Sequence, residues 1–151
     1  TSRDGDSGYI KKLYDGFDGD EEYALIVSPH PATQTNDFYK LNGSFSAYDL
    51  AKLSYGIISD YSATSLECSL LNKPLWFYVP DYEKYKAEQG LNIDIKEEMS
   101  SASFVSENEL MESVKSGHYD FDNLKRFSDK YIENKNTDNT AKLADVVCNQ
   151  L

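Results

Sequence analysis

A histidine lies between two prolines in residues 28–31, where Ser28 and Pro29 precede His30 and a second proline follows it. Proline restricts the backbone around the ring, so the imidazole of His30 is presented in a defined direction at low entropic cost. An imidazole titrates near neutral pH and can bind a phosphate or transfer a proton there. It can equally be an ordinary loop histidine that caps a neighbouring group or faces solvent. The residues themselves leave both interpretations open.

Small polar residues fill the segment 59–64 (Ser-Asp-Tyr-Ser-Ala-Thr), between a predicted strand and a predicted helix. At such a junction the backbone N–H groups of Ser62 and Ala63 are available, and the helix dipole favours a bound phosphate. Ser62 or Thr64 can instead be a simple N-cap of the helix. The segment is therefore a candidate phosphate site in an otherwise acidic protein.

Two charged side chains are further candidates for the same site. Glu67 stands one turn into the helix, where a carboxylate can accept hydrogen bonds from a ribose diol. The spacing Thr64-x-x-Glu67 is also that of a capping box, in which Glu67 only reaches back to the helix start. Arg3 carries a guanidinium suited to bidentate contact with a diphosphate, or to a surface ion pair with Asp4 or Asp6.

Composition and charge exclude several classes of protein. A chain of 151 residues, 40% hydrophobic and 27% charged, has the size and composition of one folded domain. Its formal net charge of −11 at pH 7 excludes nucleic-acid binding through a basic face. No apolar run approaches the roughly 18 residues that a membrane span needs. Since the first residue is Thr1, we expect the chain to be processed or a piece of something longer.

Sequence motifs for common cofactors and metals are missing. The chain contains neither a Walker pattern nor GxGxxG, which disfavours P-loop nucleotides and nicotinamide dinucleotides. A zinc site needs a cluster of ligands, whereas this chain has two distant cysteines, Cys68 and Cys148, and two histidines. We therefore expect no cofactor, no metal and two buried thiols.

Strand and helix patterns alternate along the chain. Strands are predicted at 23–27, 56–59 and 74–79, with a short edge strand at 104–105. Helices are predicted over 9–17, from the capping box of Ser46 and Asp49, over 62–72, after residue 81, over 106–114, over 121–132 and over 140–147. In the helix 62–72 the apolar residues expected to face inwards are Ala63, Leu66, Leu70 and Leu71.

The spacing of these elements predicts the fold class. The run 74–79 is nearly continuous in apolar residues, which indicates a strand covered on both faces of its sheet. Tight strand–helix–strand spacing requires right-handed crossovers and parallel strands. We therefore predict an α/β fold, a Rossmann-like parallel sheet sandwiched by helices, with the last two helices wrapped around the outside.

Two segments resemble known family motifs. Residues 57–67 (IISDYSATSLE) closely resemble the ITDYSS…FD motif of the CDP-glycerol glycerophosphotransferases, the teichoic-acid primases and polymerases of Gram-positive bacteria. Residues 72–85 (NKPLWFYVPDYEKY) resemble the family's kPiifYvpDleeY segment at the right distance. Four shorter resemblances follow the family's order: the PTxRD loop end at 1–4, the HP motif at 30–31 and the C-terminal helices at 125–127 and 139–141. Together these matches cover nearly the whole chain.

The resemblance implies that residues 1–151 are the donor-binding C-terminal half of a GT-B fold. Ser62 and Ala63 would then bind the phosphates of a CDP-alcohol, and Glu67 would lie near its ribose. His30 would stand beside the diphosphate and stabilise charge. The remaining pocket residues implied are Thr1, Arg3, Ser28 and Pro29. Ala63 stands where the family has a second Ser, and Glu67 where it has Asp.

The implied reaction moves glycerol phosphate or ribitol phosphate from CDP-glycerol or a related CDP-polyol to a polyol-phosphate polymer, and CMP leaves. The partner of the chain would be the N-terminal GT-B half that it lacks, and we expect it to be inactive alone. The family works at the cytoplasmic face of the bacterial membrane, while the chain itself is expected to be soluble. Two other interpretations remain open, a GT-B glycosyltransferase domain that uses a nucleotide-sugar and a non-catalytic relic of the fold.

Overall fold

The computed structural model describes residues 6–28, 45–133 and 138–149. Helices in these ranges are α1 (Asp6–Phe17), α2 (Ala47–Leu53), α3 (Thr64–Ser69), α4 (Tyr82–Gln89), α5 (Ile95–Glu98), α6 (Glu107–Lys115), α7 (Phe121–Tyr131) and α8 (Asn139–Cys148). Strands are β1 (Ile57–Ser59), β2 (Leu75–Tyr78) and β3 (Ser103–Phe104), and a 3₁₀ turn at Ser100–Ala102 leads into β3.

The strands form a parallel sheet in the order β1-β2-β3. Ile57 pairs with Leu75 at one side of β2, and Phe77 pairs with Ser103 at the other. Every residue of β2 is buried, as its continuous apolar sequence predicts. The α/β class with a parallel sheet is confirmed, and this small open sheet flanked by helices is compatible with a Rossmann-like layer.

Helices cover both faces of β2. The ring of Phe77 packs edge-on against Phe127 of α7, with centroids 6.1 Å apart. The indole Nε1 of Trp76 donates to Ser113 Oγ of α6 at 3.1 Å. Because successive side chains of a strand point to opposite faces, α7 and α6 lie on opposite sides of the sheet. A Cβ at Gly56 would lie 2.4 Å from the Trp76 ring, so glycine is needed where the chain enters β1.

The capping patterns predicted two helix starts correctly. Asp49 N donates to Ser46 Oγ at 3.1 Å, and Ser46 N donates to Asp49 Oδ2 at 3.3 Å, which completes the capping box of α2. The hydrogen bond that the Ser46 hydroxyl donates to Asp49 Oδ2 at 2.6 Å, followed by that from Ser46 N, lowers the pKa of the Asp49 carboxyl. Ser106 caps α6 by accepting a hydrogen bond from the Glu109 backbone N–H.

The strand predicted at 23–27 is wrong. Among the described residues this segment joins no sheet, and its residues alternate between half-buried and exposed. The Asp20 carboxylate starts the segment by accepting hydrogen bonds from the backbone N–H groups of Glu22 and Tyr23. An apolar run specifies that the chain packs on a core, but a strand also needs a neighbouring backbone to pair with.

The predicted extent of the helix 62–72 is also wrong, and its inner face was predicted correctly only for Leu66 and Leu71. α3 spans six residues, and its buried side chains are Ser65, Cys68 and Ser69. Ala63 is exposed, and Leu70 is 45% exposed. Leu66 and Leu71 are half-buried and pack against the core, and the small buried side chains of α3 allow a close approach to α7.

The two thiols occupy different environments. Cys68 is buried, and burial raises the pKa of its thiol. Cys148 is exposed, so the prediction of two buried thiols is wrong for this residue. It belongs to α8, in which no residue is buried, and the expectation that this helix packs around the outside is therefore wrong as well.

Phe77 is completely buried at the centre of the sheet, and truncating it leaves a cavity. We expect Phe77→Ala to lower the free energy of unfolding by about 3–5 kcal/mol. Urea unfolding measures this change. The matched control is Phe45→Ala, because Phe45 is 62% exposed and its truncation removes little buried area. Equal loss in the two variants would contradict the assignment of β2 as the centre of the core.

Lys115 of α6 forms an ion pair with Asp20 at 2.5 Å, beyond the end of α1. The hydrogen bond from Lys115, followed by those from the Tyr23 and Glu22 backbone, lowers the pKa of Asp20 to about 2. An unfolded Asp titrates near 3.9, so the ionised carboxylate stabilises the fold above that pH, and the contribution is lost as the pH falls towards 2.

We therefore expect Asp20→Asn to be less stable than the original protein at pH 7, with the difference shrinking as the pH falls from about 4 to about 2. Thermal unfolding at several pH values tests this. Asp15→Asn is the control, since it removes an exposed ion pair with Lys11 within α1. A pH-independent difference for Asp20→Asn would show that the carboxylate charge is not what stabilises this junction.

Candidate functional site

A cavity of about 280 Å³ opens beside the loop that follows the carboxyl end of β1. One wall consists of Tyr61, Ser62 and Ala63 of this loop, with Ser65 and Leu66 of α3. The other wall is formed by Tyr85 of α4 and by the segment 90–93 that follows this helix, together with Ile95 and Phe127. Ligands of open α/β sheets bind beyond the carboxyl ends of the strands, so the cavity lies where a site is expected.

The loop is organised by short-range hydrogen bonds. Ser62 N donates to Asp60 Oδ1 at 2.8 Å, and Ser65 Oγ donates to the Ser62 carbonyl oxygen at 2.7 Å. Thr64 N donates to Ser62 Oγ at 3.4 Å, a long bond that gives Ser62 a weak capping role. Since α3 is only six residues long, its dipole contributes less to anion binding than the predicted eleven-residue helix would.

Tyr61 fixes this loop against α4. Its ring stacks face to face on Tyr85, with centroids 3.8 Å apart and planes 10° from parallel. Its hydroxyl donates to Asp81 Oδ1 at 3.1 Å. Burial, followed by the negative charge of Asp81, raises the pKa of Tyr61, so the phenol stays protonated and keeps donating.

The second wall of the cavity is anchored to the same helix. Tyr82 Oη of α4 donates to the Asp94 carboxylate at 2.6–2.7 Å, immediately after the segment 90–93. Lys86 Nζ also donates to Asp94, at 2.7 Å. The hydrogen bonds from Lys86 and Tyr82 lower the pKa of Asp94, and the bond that Lys86 donates to Asp94 raises the pKa of Lys86. Both walls are therefore attached to α4.

The structure brings together some of the residues predicted from sequence. Ser62 and Ala63 line the cavity side by side. Glu67 is exposed on α3 and is not among the lining residues, and the capping box of Thr64 and Glu67 does not form. Ser28 is exposed and also lies outside the lining. The other predicted site residues are outside the described part of the chain: Thr1, Arg3, Pro29 and His30.

Sequence reasoning assigned no role to Tyr61, Asp81 or Tyr85. The spacing of Asp81 and Tyr85 could have indicated a shared helix face, because residues four apart are neighbours on a helix. The contact of both with Tyr61, from another part of the chain, follows from the packing of α4 beside the loop.

A larger cavity of about 350 Å³ lies between residues 97–100 and α7. It contains none of the predicted residues, and Lys130 in its wall is paired with Glu98 at 2.5 Å. No group of three or more His, Cys, Asp or Glu side chains within the described ranges is placed to hold a metal ion. The helices described here include none with the length and apolar character needed to cross a membrane.

Sequence relatives identify the family. The chain is 30% identical to a teichoic acid ribitol-phosphate primase of Bacillus spizizenii over 135 residues, 84% of this chain and 35% of the relative. It is 30% identical to a teichoic acid glycerol-phosphate primase of Bacillus subtilis over 118 residues, 74% of this chain and 31% of the relative. A teichoic acid glycerol-phosphate primase of Staphylococcus aureus is 33% identical over 109 residues, 72% of this chain and 28% of the relative.

The chain thus spans about a third of the length of the curated relatives it matches. No solved structure matches it. The sequence model of the family "CDP-Glycerol:Poly(glycerophosphate) glycerophosphotransferase" matches residues 10–149, which include the loop, α4 and both walls of the cavity. The resemblance seen in the motifs is confirmed, and the chain belongs to this glycerophosphotransferase family.

Proposed function

We propose that the chain is the donor-binding part of an enzyme that transfers polyol phosphate from CDP-glycerol or CDP-ribitol to a growing teichoic-acid or capsule polymer. The observation that carries the proposal is the cavity beside Ser62 and Ala63, within the region that matches the family model. The sequence relatives also support it, because they include teichoic acid primases and a poly(glycerol phosphate) polymerase.

In this proposal the reaction is a displacement at the phosphorus that carries the polyol. A hydroxyl at the end of the polymer attacks this phosphorus, the bond to CMP breaks, and CMP leaves with the bridging oxygen. The acceptor site and the general base lie in the N-terminal GT-B half, outside this chain. The assembled enzyme acts as a peripheral protein at the cytoplasmic membrane face.

The loop 60–63 would hold the donor phosphates. Since Ser62 N already donates to Asp60, this loop can offer a phosphate the Ala63 backbone N–H and Ser62 Oγ, whose long bond to Thr64 Oγ1 at 3.3 Å a phosphate oxygen would replace. Alanine at position 63 has a backbone N–H but no side-chain hydroxyl, so it can donate a single hydrogen bond to the phosphate. Glu67 is exposed on α3, the helix that follows this loop, where it can accept hydrogen bonds from the ribose of a bound donor.

Positive charge near the donor diphosphate would come from Arg3 and His30. A guanidinium binds phosphate oxygens in a bidentate manner, and an imidazolium stabilises charge on the phosphate as the new phosphodiester forms. Ser28, Pro29 and Thr1 would complete the pocket around these two side chains.

A bulky side chain in the cavity wall should weaken donor binding. We expect Ala63→Trp to weaken CDP-glycerol binding at least about tenfold, because the indole occupies the space beside Ser62. Isothermal titration calorimetry on the full-length enzyme measures this change. Ala87→Trp is the matched control, since Ala87 is also exposed but lies on α4 outside the cavity lining.

The same titrations include CDP, CMP and UDP-N-acetylglucosamine. Selective binding of the cytidine ligands, lost in Ala63→Trp and kept in Ala87→Trp, supports the proposal. Preferential binding of the uridine ligand would replace it with a nucleotide-sugar glycosyltransferase. If the full-length enzyme bound none of these four ligands, the result would favour a non-catalytic relic of the fold.

Removing the imidazole of His30 should slow the transfer step. We expect His30→Ala in the full-length enzyme to lower kcat about 10²–10³-fold with little change in the unfolding temperature. Release of CMP from CDP-glycerol, with polymer as acceptor, measures this rate. The other histidine, exposed His118 in the turn before α7, gives the control variant His118→Ala. Full activity in His30→Ala would remove His30 from the catalytic machinery.

A further inference from the structure

Residues of α4 hold the wall of the cavity without supplying the groups assigned to donor phosphates. The side of the helix that carries Asp81 and Tyr85 contacts Tyr61. Tyr61 directly precedes Ser62, so its position determines where the Ser62 hydroxyl and the Ala63 N–H point. A hydrogen bond and a stacked ring act on the same side chain, which restrains both its translation and its rotation.

The helix itself is a fixed support for these contacts. Tyr82, buried at its first turn, and Lys86 both bind the Asp94 carboxylate, which ties α4 to the chain beyond the segment 90–93. Asp81 precedes α4 and makes no side-chain capping bond to it. The side-chain interaction that the structure shows for Asp81 is the hydrogen bond from Tyr61. A shift of α4 would therefore move both walls of the cavity.

We propose that Tyr61, Asp81 and Tyr85 are positioning residues that hold Ser62 and Ala63 in the orientation needed to bind the donor. The inference rests on the proposed function of the cavity. Tyr61 and Tyr85 themselves line the cavity, and the role proposed for them and for Asp81 is to hold Ser62 and Ala63 in place. A displacement of about 1 Å in such a wall is enough to weaken the binding of a ligand that depends on aligned donors.

The test removes the Tyr61 hydroxyl alone. We expect Tyr61→Phe in the full-length enzyme to raise the KM for CDP-glycerol about tenfold, the size expected for one hydrogen bond to a charged group, with a smaller change in kcat. Tyr119→Phe is the matched control. Its hydroxyl donates to the Leu75 carbonyl oxygen at 2.8 Å, outside the cavity lining, so this variant also loses one hydrogen bond. It should lower the unfolding temperature and leave KM within about twofold of the original value.

Asp81→Ala provides a second variant at the other end of the same bond. If the bond positions the loop, Asp81→Ala raises KM as much as Tyr61→Phe does, and the double variant raises it no further than either single change. Additive effects would show that the two residues act separately and would overturn the positioning role of their bond.

The stacked ring is tested by a conservative pair of variants at position 85. Tyr85→Phe keeps the ring that faces Tyr61 and should retain the original KM, whereas Tyr85→Leu should raise it. An active enzyme whose KM for CDP-glycerol is unchanged in Tyr61→Phe, Asp81→Ala and Tyr85→Leu overturns the inference and leaves the proposed function standing. An original enzyme that neither binds nor uses a CDP-polyol overturns the proposed function itself.

Discussion

The complete burial of β2 is the constraint on which the rest of the structure depends. Leu75 and Phe77 have no exposed surface, and Trp76 and Tyr78 have almost none. A strand in this position must have a neighbour on each side and a helix on each face, because any open side would expose its apolar residues. β1, β3, α6 and α7 meet these four requirements.

The burial of β2 also determines where the cavity lies. β1 is paired with β2 in parallel and ends at Ser59, so the loop 60–63 leaves the sheet at its carboxyl edge. The chain leaves β2 at the same edge and enters α4 within a few residues, which brings Asp81 and Tyr85 beside that loop. The loop 60–63 and α4, separated in sequence by α3 and β2, therefore lie beside the same cavity.

Features that depend on neighbouring residues in the chain could be predicted from sequence. The burial of β2 follows from a continuous apolar run, and the start of α2 follows from Ser46 and Asp49, which bond each other across one turn. Ser62 and Ala63 were predicted in the same way, from small residues at a strand–helix junction. The motifs identified the family because they preserve this local order, and the match over residues 10–149 confirms it.

Features that depend on tertiary contacts could not be predicted from sequence. The apolar run 23–27 resembles a strand, but it pairs with no described strand, and sequence patterns do not specify a pairing partner. The inner face of α3 was predicted only in part, because Ser65 and Ser69 are buried by close helix packing, whereas hydrophobicity ranks the leucines first. The Tyr61–Tyr85 stack joins residues 24 positions apart, and only the placement of α4 brings them together.

The lack of charge in the described part of the cavity lining indicates that, in the proposed function, one set of groups attracts the donor and another orients it. None of its described lining residues is charged, in a chain whose net charge is −11. An acidic protein repels a diphosphate at long range. Neutral donors such as the Ser62 hydroxyl do little to attract the ligand, and their main effect is to orient it. The proposed function assigns the attraction to cationic groups, Arg3 and His30 among them, and the shape of the site to the walls held by α4.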